Sequence, residues 1–154
     1  MSRLHLVSWN VAGWRTALDE ITRTTRRGPA ATTKKVEEKQ LCIATWLERL
    51  DADIICLQEV TPWSREIFAS DPFLTDTYAF SKNSLGRYGV LILANKERNP
   101  CFQTHAMETM MGRDLVGVVV DLPGGSAAPS KRKVLVLTAH FESLSSASIR
   151  KTQL

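Results

Sequence analysis

Three polar clusters in this sequence each follow an apolar run, and their side chains could bind a cation or a phosphate. The clusters are Trp9-Asn10, Gln58-Glu59 and His140-Phe141-Glu142-Ser143. Taken singly, Asn10 could be a turn residue, Glu59 a solvated charge and His140 a buried histidine. If the runs are strands of one α/β sheet, their carboxyl ends form the crevice in which ligands bind. A carboxylate, an amide and an imidazole meeting there suit a hard cation and a phosphate oxygen.

The elements that would carry these clusters can be read from the hydrophobic pattern. Helices are predicted over Lys34–Leu50, from its apolar stripe, and from Pro62 to about Ala69, after the candidate N-cap Thr61. Strands are predicted at Leu4–Trp9, Ile54–Leu57, Tyr88–Ala94, Leu115–Val120 and Lys133–Ala139. The last two would form a hairpin. The order β-α-β-α-β-β-β predicts an α/β or α+β fold with a mixed sheet.

Composition narrows the class of protein. The 154 residues are 44% hydrophobic and 23% charged, which fits one globular domain and excludes a disordered chain. The longest apolar runs are strand-length, so no membrane span is expected. A net charge of +4 permits a phosphate-rich partner, and a basic loop is predicted at residues 22–33. The three cysteines match no zinc or disulfide pattern; Cys42 and Cys56 are expected to be buried, in an intracellular, reducing compartment.

Four strings resemble the endonuclease/exonuclease/phosphatase superfamily, which has a metal-dependent phosphoesterase fold. They are LVSWNVAGW (6–14), ADIICLQEV (52–60), GVLILA (89–94) and VLVLTAHFES (134–143). MGRDL (111–115) with TAHFES is most similar to the tyrosyl-DNA phosphodiesterase 2 branch. The resemblance implies the N-terminal part of a four-layer α-β-β-α sandwich. It also implies hydrolysis of 5′-phosphotyrosyl-DNA protein adducts in DNA repair, with DNA as partner, no membrane, and the nucleus or cytoplasm as location.

The resemblance also implies roles for individual residues. Glu59 would bind Mg²⁺ or Mn²⁺, and Asn10 would lie beside it in the metal network and at the phosphate. His140 and Ser143 would contact the phosphate oxygens, which makes Asn10, Glu59 and His140 the candidate catalytic residues. Arg113 would lie on the nucleic-acid side, although a surface arginine paired with its neighbour Asp114 is an equal alternative.

Two motifs of the superfamily, GDxN and SDH, do not occur in the sequence. They supply an aspartate, an asparagine and an Asp–His pair to the reaction. Residues 1–154 are therefore expected to be an incomplete domain, inactive by itself. The strands Val116–Val120 and Val134–Leu137 are apolar on both faces and are expected to need cover on both. Two other functions stay open: another hydrolase of the superfamily (abasic endonuclease, deadenylase or phosphoinositide phosphatase), or a non-catalytic nucleic-acid-binding module.

Overall fold

The fold was analysed in a computed structural model, which describes residues 3–11, 29–107, 114–122, 132–141 and 151. The elements in chain order are β1 (Leu6–Asn10), α1 (Pro29–Leu50), β2 (Ile54–Val60), α2 (Pro62–Ser70), α3 (Pro72–Thr77), β3 (Tyr78–Phe80), β4 (Gly89–Asn95), a 3-10 helix (Lys96–Arg98), β5 (Cys101–Ala106), β6 (Asp114–Asp121) and β7 (Lys133–Ala139). None of the described helices is long and apolar enough to cross a membrane.

The strands form two sheets. One has the order β1-β2-β4-β3, in which β1 and β2 are parallel and the remaining pairs are antiparallel. The other is an antiparallel sheet of order β5-β6-β7. The predicted mixed α/β architecture is confirmed, and so is the predicted pairing of the last two strands.

The two faces of the four-stranded sheet bury different cores. On one face, Ile55 and Leu57 of β2 pack with Leu47 of α1 and Phe68 of α2. On the other face, alternate residues of β2 and β4 pack against the inner face of β6, as expected for strands with period-two side chains. The inner-face residues of β6 are fully buried: Val116, Val118 and Val120. Helices, a four-stranded sheet and a three-stranded sheet thus form successive layers.

Several predicted boundaries were wrong for physical reasons. Helix α1 begins at Pro29, not Lys34, because proline suits the first helical position and the alanines after it favour a helix. Residues 29–33 of the predicted basic loop therefore belong to this helix, and residues 22–28 lie outside the described ranges. Strand β2 continues to Val60, past the polar pair expected to end it. Cys42 is exposed on α1 rather than buried, whereas Cys56 is buried as predicted.

The outer face of the three-stranded sheet carries apolar residues of a strand that was expected to need cover on both faces. Leu135 and Leu137 of β7 are 52% and 51% exposed, since no described residue packs over them. The apolar run in this strand therefore has one face packed against the core, through the partly buried Val136, and one face open to water among the described parts of the chain.

Candidate active site

The parallel pairing of β1 and β2 brings two of the predicted site residues together. Asn10 is in register with Gln58, and the backbone N–H of Val11 donates to the Gln58 carbonyl at 3.0 Å. Since parallel strands end at the same edge of a sheet, Asn10 reaches the next residue of β2. Its Nδ2 donates to Oε1 of Glu59 at 3.0 Å. The predicted proximity of Asn10 and Glu59 is confirmed.

Glu59 lies in an irregular part of β2. The register with β4 shifts between Leu57, which pairs with Leu91, and Val60, which pairs with Gly89, so β2 holds one extra residue there. Glu59 adopts φ of 59°, a left-handed conformation that is unfavourable for a residue with a Cβ. Such backbone persists where the surrounding structure fixes it, and it is concentrated at functional sites.

His140 reaches the same place from the other sheet. It follows directly on β7, and its Nε2 lies 3.6 Å from Oε1 of Glu59, an ion pair when the imidazole is protonated. The side chains of His140 and Glu59 are 21% and 12% exposed, so both are partly sheltered but open to a ligand. The three predicted catalytic residues Asn10, Glu59 and His140 therefore form one cluster built from both sheets.

An aromatic side chain that was not predicted to belong to the site also lies at this rim. The ring of Tyr88, just before β4, has its centroid 6.2 Å from that of His140, with 55° between the ring planes. The sequence signal was an aromatic residue at the start of the GVLILA strand, following Arg87. An aromatic face at this rim can pack against a base or a phenol ring.

A polar bridge lies beneath the cluster. Nε2 of Gln58 is 3.1 Å from Oγ of Ser8, 3.2 Å from Oγ1 of Thr138 and 3.2 Å from the Cys56 carbonyl. Ser8 and Gln58 belong to the four-stranded sheet, and Thr138 to β7. Sequence reasoning did not single out this bridge, because it depends on how the two sheets pack.

Two predicted site residues cannot be placed. Ser143 and Arg113 lie outside the described residues, so their contacts with phosphate and nucleic acid stay predictions.

A concavity of about 500 Å³ lies elsewhere, between α2 and the chain at residues 83–86, and is not lined by Asn10, Glu59 or His140. Beside it, the Arg65 guanidinium donates to the backbone carbonyls of Ser81 and Asn83, so it supports this chain segment.

The donor set at the cluster suits the metal that the resemblance implies. Within the described ranges, no group of three His, Cys, Asp or Glu side chains converges as a ready metal cage. Mg²⁺ does not need one, since it keeps several waters and is held by one or two carboxylates. Glu59 provides one such carboxylate at a rim open to solvent. The residues present therefore fit Mg²⁺ held through Glu59.

Comparison with known proteins places this geometry in context. A model of the Endonuclease/Exonuclease/phosphatase family matches residues 7–130. DNA-(apurinic or apyrimidinic site) endonuclease 2 of Bos taurus is 31% identical over 105 residues, which are 63% of this chain and 18% of the bovine protein. The chain thus spans less than a fifth of that relative's length.

Solved structures have the same fold. TDP2 of D. rerio, complexed with single strand DNA product, matches with a TM-score of 0.62 and 22% identity over 96% of this chain and 50% of that one. Truncated Caenorhabditis elegans TDP2 matches with a TM-score of 0.67 and 20% identity, over 92% of this chain and 48% of that one. ANGEL2, a 2′,3′-cyclic phosphatase, matches with a TM-score of 0.61 and 20% identity, over 97% of this chain and 44% of that one. The predicted resemblance is confirmed at the level of the fold, and this chain spans about half of each solved structure.

Proposed function

Since this chain belongs to the Endonuclease/Exonuclease/phosphatase family, we propose that it forms part of a Mg²⁺-dependent phosphodiesterase of DNA repair. Members of the family are hydrolases that act on phosphodiester or phosphate groups. The proposed substrate is the ester between a protein tyrosine and a DNA 5′-phosphate. The observation that carries the proposal is the cluster of Asn10, Glu59 and His140 at one rim, in a fold shared with TDP2.

The proposed reaction is an in-line displacement at phosphorus. Water attacks phosphorus, forms the new phosphorus–oxygen bond and releases a proton to solvent, while the bond to the tyrosine oxygen breaks and the phenolate leaves with its electron pair. Because its conjugate acid has a pKa of about 10, a phenolate needs less protonation on leaving than an alkoxide does. A bound Mg²⁺ would neutralise charge that develops on the phosphate.

This chain's own residues would orient and stabilise the phosphate. The Asn10 amide donates to Glu59 and so fixes the orientation of the carboxylate that would hold the metal. Nε2 of His140 lies next to that carboxylate and can donate to a non-bridging phosphate oxygen when protonated. Ser143 would provide a second donor to the phosphate, and Arg113 would contact the DNA backbone.

A second candidate function has a specific observation in its favour. The 31% identity to a bovine abasic-site endonuclease favours cleavage of DNA beside a missing base. Such an enzyme would use the same cluster on a different leaving group, a sugar hydroxyl. A non-catalytic nucleic-acid-binding module is distinguished by its electrostatics, because its affinity for DNA would depend on salt but not on Glu59.

A panel of labelled substrates tests these alternatives. A longer form of the protein, which contains this chain together with the GDxN and SDH motifs, is incubated with Mg²⁺ and a 5′-phosphotyrosyl oligonucleotide, an abasic duplex, or RNA ending in a 2′,3′-cyclic phosphate. The proposal expects selective release of tyrosine, abolished by Glu59→Gln and unaffected by Glu66→Gln, an exposed glutamate on α2. Preferred cleavage of the abasic duplex would replace the leading proposal by the second candidate.

The missing GDxN and SDH motifs affect how this test is read. Loss of one positioned proton donor or transition-state ligand slows an enzyme about 10²–10⁴-fold, so the 154-residue chain alone is expected to show no measurable turnover. Binding then provides the result: Mg²⁺ should tighten binding of the phosphotyrosyl oligonucleotide in wild type but not in Glu59→Gln. Equal Mg²⁺ effects in both would contradict the proposed metal site. For a eukaryotic protein with a DNA-repair role we propose the nucleus as the location, with the cytoplasm as the alternative, and imaging of a fluorescent fusion would test this.

A further inference from the structure

The two halves of the candidate active site belong to different sheets. Asn10 and Glu59 are part of the four-stranded sheet, whereas His140 follows β7 of the three-stranded sheet. The distance of 3.6 Å between Glu59 and His140 is therefore set by how the two sheets pack.

The cluster of buried hydrophobic side chains between the sheets is not directional. On the side of the four-stranded sheet it includes Ile54 and Ile92, and on the other side the valines of β6. Apolar packing of this kind depends mainly on the area removed from water and does not by itself select which polar atoms of the two sheets face each other. A hydrogen bond between the sheets, in contrast, is lost when donor and acceptor move apart by a few tenths of an ångström.

The Gln58 amide makes such a bond directly below the cluster. Its Nε2 reaches Oγ1 of Thr138 on the opposite sheet at 3.2 Å, and Thr138 is only 9% exposed. Gln58 is the neighbour of Glu59 in the chain, and Thr138 precedes His140 by two residues. The same Nε2 also contacts Ser8 of β1 at 3.1 Å, so one amide contacts β1 as well as β7.

We propose that Gln58 is a positioning residue, which holds His140 at its distance from Glu59 by bridging the two sheets through Thr138. The contact with Thr138 acts across the sheets, whereas the contacts of the same Nε2 with Ser8 and the Cys56 carbonyl stay within the four-stranded sheet. The importance of this distance for catalysis rests on the proposed phosphodiesterase function, but the bridge itself can be tested without metal or substrate.

The separation of the Tyr88 and His140 rings reports how far His140 lies from the part of the site that belongs to the four-stranded sheet. Tyr88 lies directly before β4 of the four-stranded sheet, and its ring centroid is 6.2 Å from that of His140. Ring protons at this separation give a nuclear Overhauser cross-peak whose intensity falls steeply as the rings move apart. The cross-peak can be measured on the metal-free chain.

Matched substitutions separate the bridge from general stability. Thr138→Val removes the hydroxyl at nearly constant volume, Thr138→Ser keeps it, and Ser8→Ala removes only the bond within one sheet. We expect Thr138→Val to lose most of the Tyr88–His140 cross-peak, while Thr138→Ser and Ser8→Ala retain it. Wild-type intensity in Thr138→Val, or an equal loss in Ser8→Ala, would overturn the proposal.

Two further measurements make the outcome decisive. If Thr138→Val does not fold, Gln58→Met, which leaves the threonine in place, should show the same loss of the Tyr88–His140 cross-peak. If neither variant folds, the bridge is a folding determinant and the positioning role is refuted. In a protein that turns over substrate, Thr138→Val should lower kcat about 10–100-fold with KM little changed, as loss of a supporting hydrogen bond does. If Mg²⁺ does not tighten binding of the phosphotyrosyl oligonucleotide to the wild-type chain, the proposed function is refuted but the cross-peak result stands.

Discussion

The left-handed backbone at Glu59 makes a prediction about stability that is independent of function. With φ of 59°, any residue with a Cβ at this position is strained by about 1–2 kcal/mol. Glycine relieves that strain, but it also gives the unfolded chain more freedom, which offsets about 0.4–1 kcal/mol. Glu59→Gly should therefore be more stable than Glu59→Ala by about 0.8 kcal/mol, the difference between the midpoints of the two effects. Both variants lack the carboxylate, so the loss of its bond to Asn10 cancels in the comparison.

Urea unfolding of the two variants measures the difference directly, provided that the slopes agree. The control is the same pair of substitutions at Glu66, an exposed residue in the middle of α2. There glycine should be the less stable variant by about 0.5–1 kcal/mol, because it is unfavourable inside a helix. The sign of the glycine-to-alanine difference should thus be opposite at the two sites. The same sign at both positions would refute the strained bulge.

Three further substitutions test the support of the fold. Thr61 caps α2 by accepting from the Ser64 N–H, so Thr61→Ala should lower the free energy of unfolding by about 1 kcal/mol while Thr61→Ser stays near wild type. The Asp53 carboxylate accepts the Arg98 guanidinium and a backbone N–H, each at 2.8 Å, so Asp53→Ala should cost about 2 kcal/mol in a urea titration; a change below a few tenths would contradict the assigned contacts. Burial raises the pKa of the Cys56 thiol from 9.0 to about 11, so the unfolded thiol ionises first and the free energy of unfolding should fall as pH rises from 9 towards 11. Cys56→Ala should lack this part of the decline, and an unchanged pH dependence would contradict the burial.

The sequence predicted where the strands that bury apolar residues lie, and it predicted that their polar ends meet at one edge of a sheet. Strands β2 and β4 are continuous apolar runs because each buries one face in either core. Strand β6 buries one face, through its three valines, in the core between the sheets. The proximity of Asn10 to Glu59 followed from two such runs ending in polar residues. This part of the site was predictable because adjacent strands and their common edge leave few alternatives.

The elements that were missed carry weak local signals. Strand β5, with the sequence CFQTHA, lies at a sheet edge and contributes only Phe102 to a core, so its pattern is neither apolar nor clearly alternating. Helix α3 has six residues, too few to show helical periodicity. Its start nevertheless repeats the signal used for α2, because Asp71 caps the helix before Pro72 as Thr61 does before Pro62.

The finer geometry of the site could not be predicted from local patterns. Glutamate has no preference for left-handed backbone, so nothing in the sequence indicated a bulge at Glu59. The bridge from Gln58 to Thr138 depends on the packing of two sheets, and a glutamine inside a strand has many other partners available. Both features follow from the tertiary structure, which local propensity does not encode.

The Gln58–Thr138 bridge has a consequence for the order in which this molecule assembles. Its partners are 80 residues apart in the chain, and those of the Asn10–Glu59 bond are 49 apart. Contacts of such separation require large loops to close and are slow to form. A folding chain could bury its helical layer against β2 and β4 while His140 is still far from Glu59. Recovery of ligand binding during refolding would then lag behind burial of the apolar residues, and a ligand held by both sheets would stabilise only the fully assembled molecule.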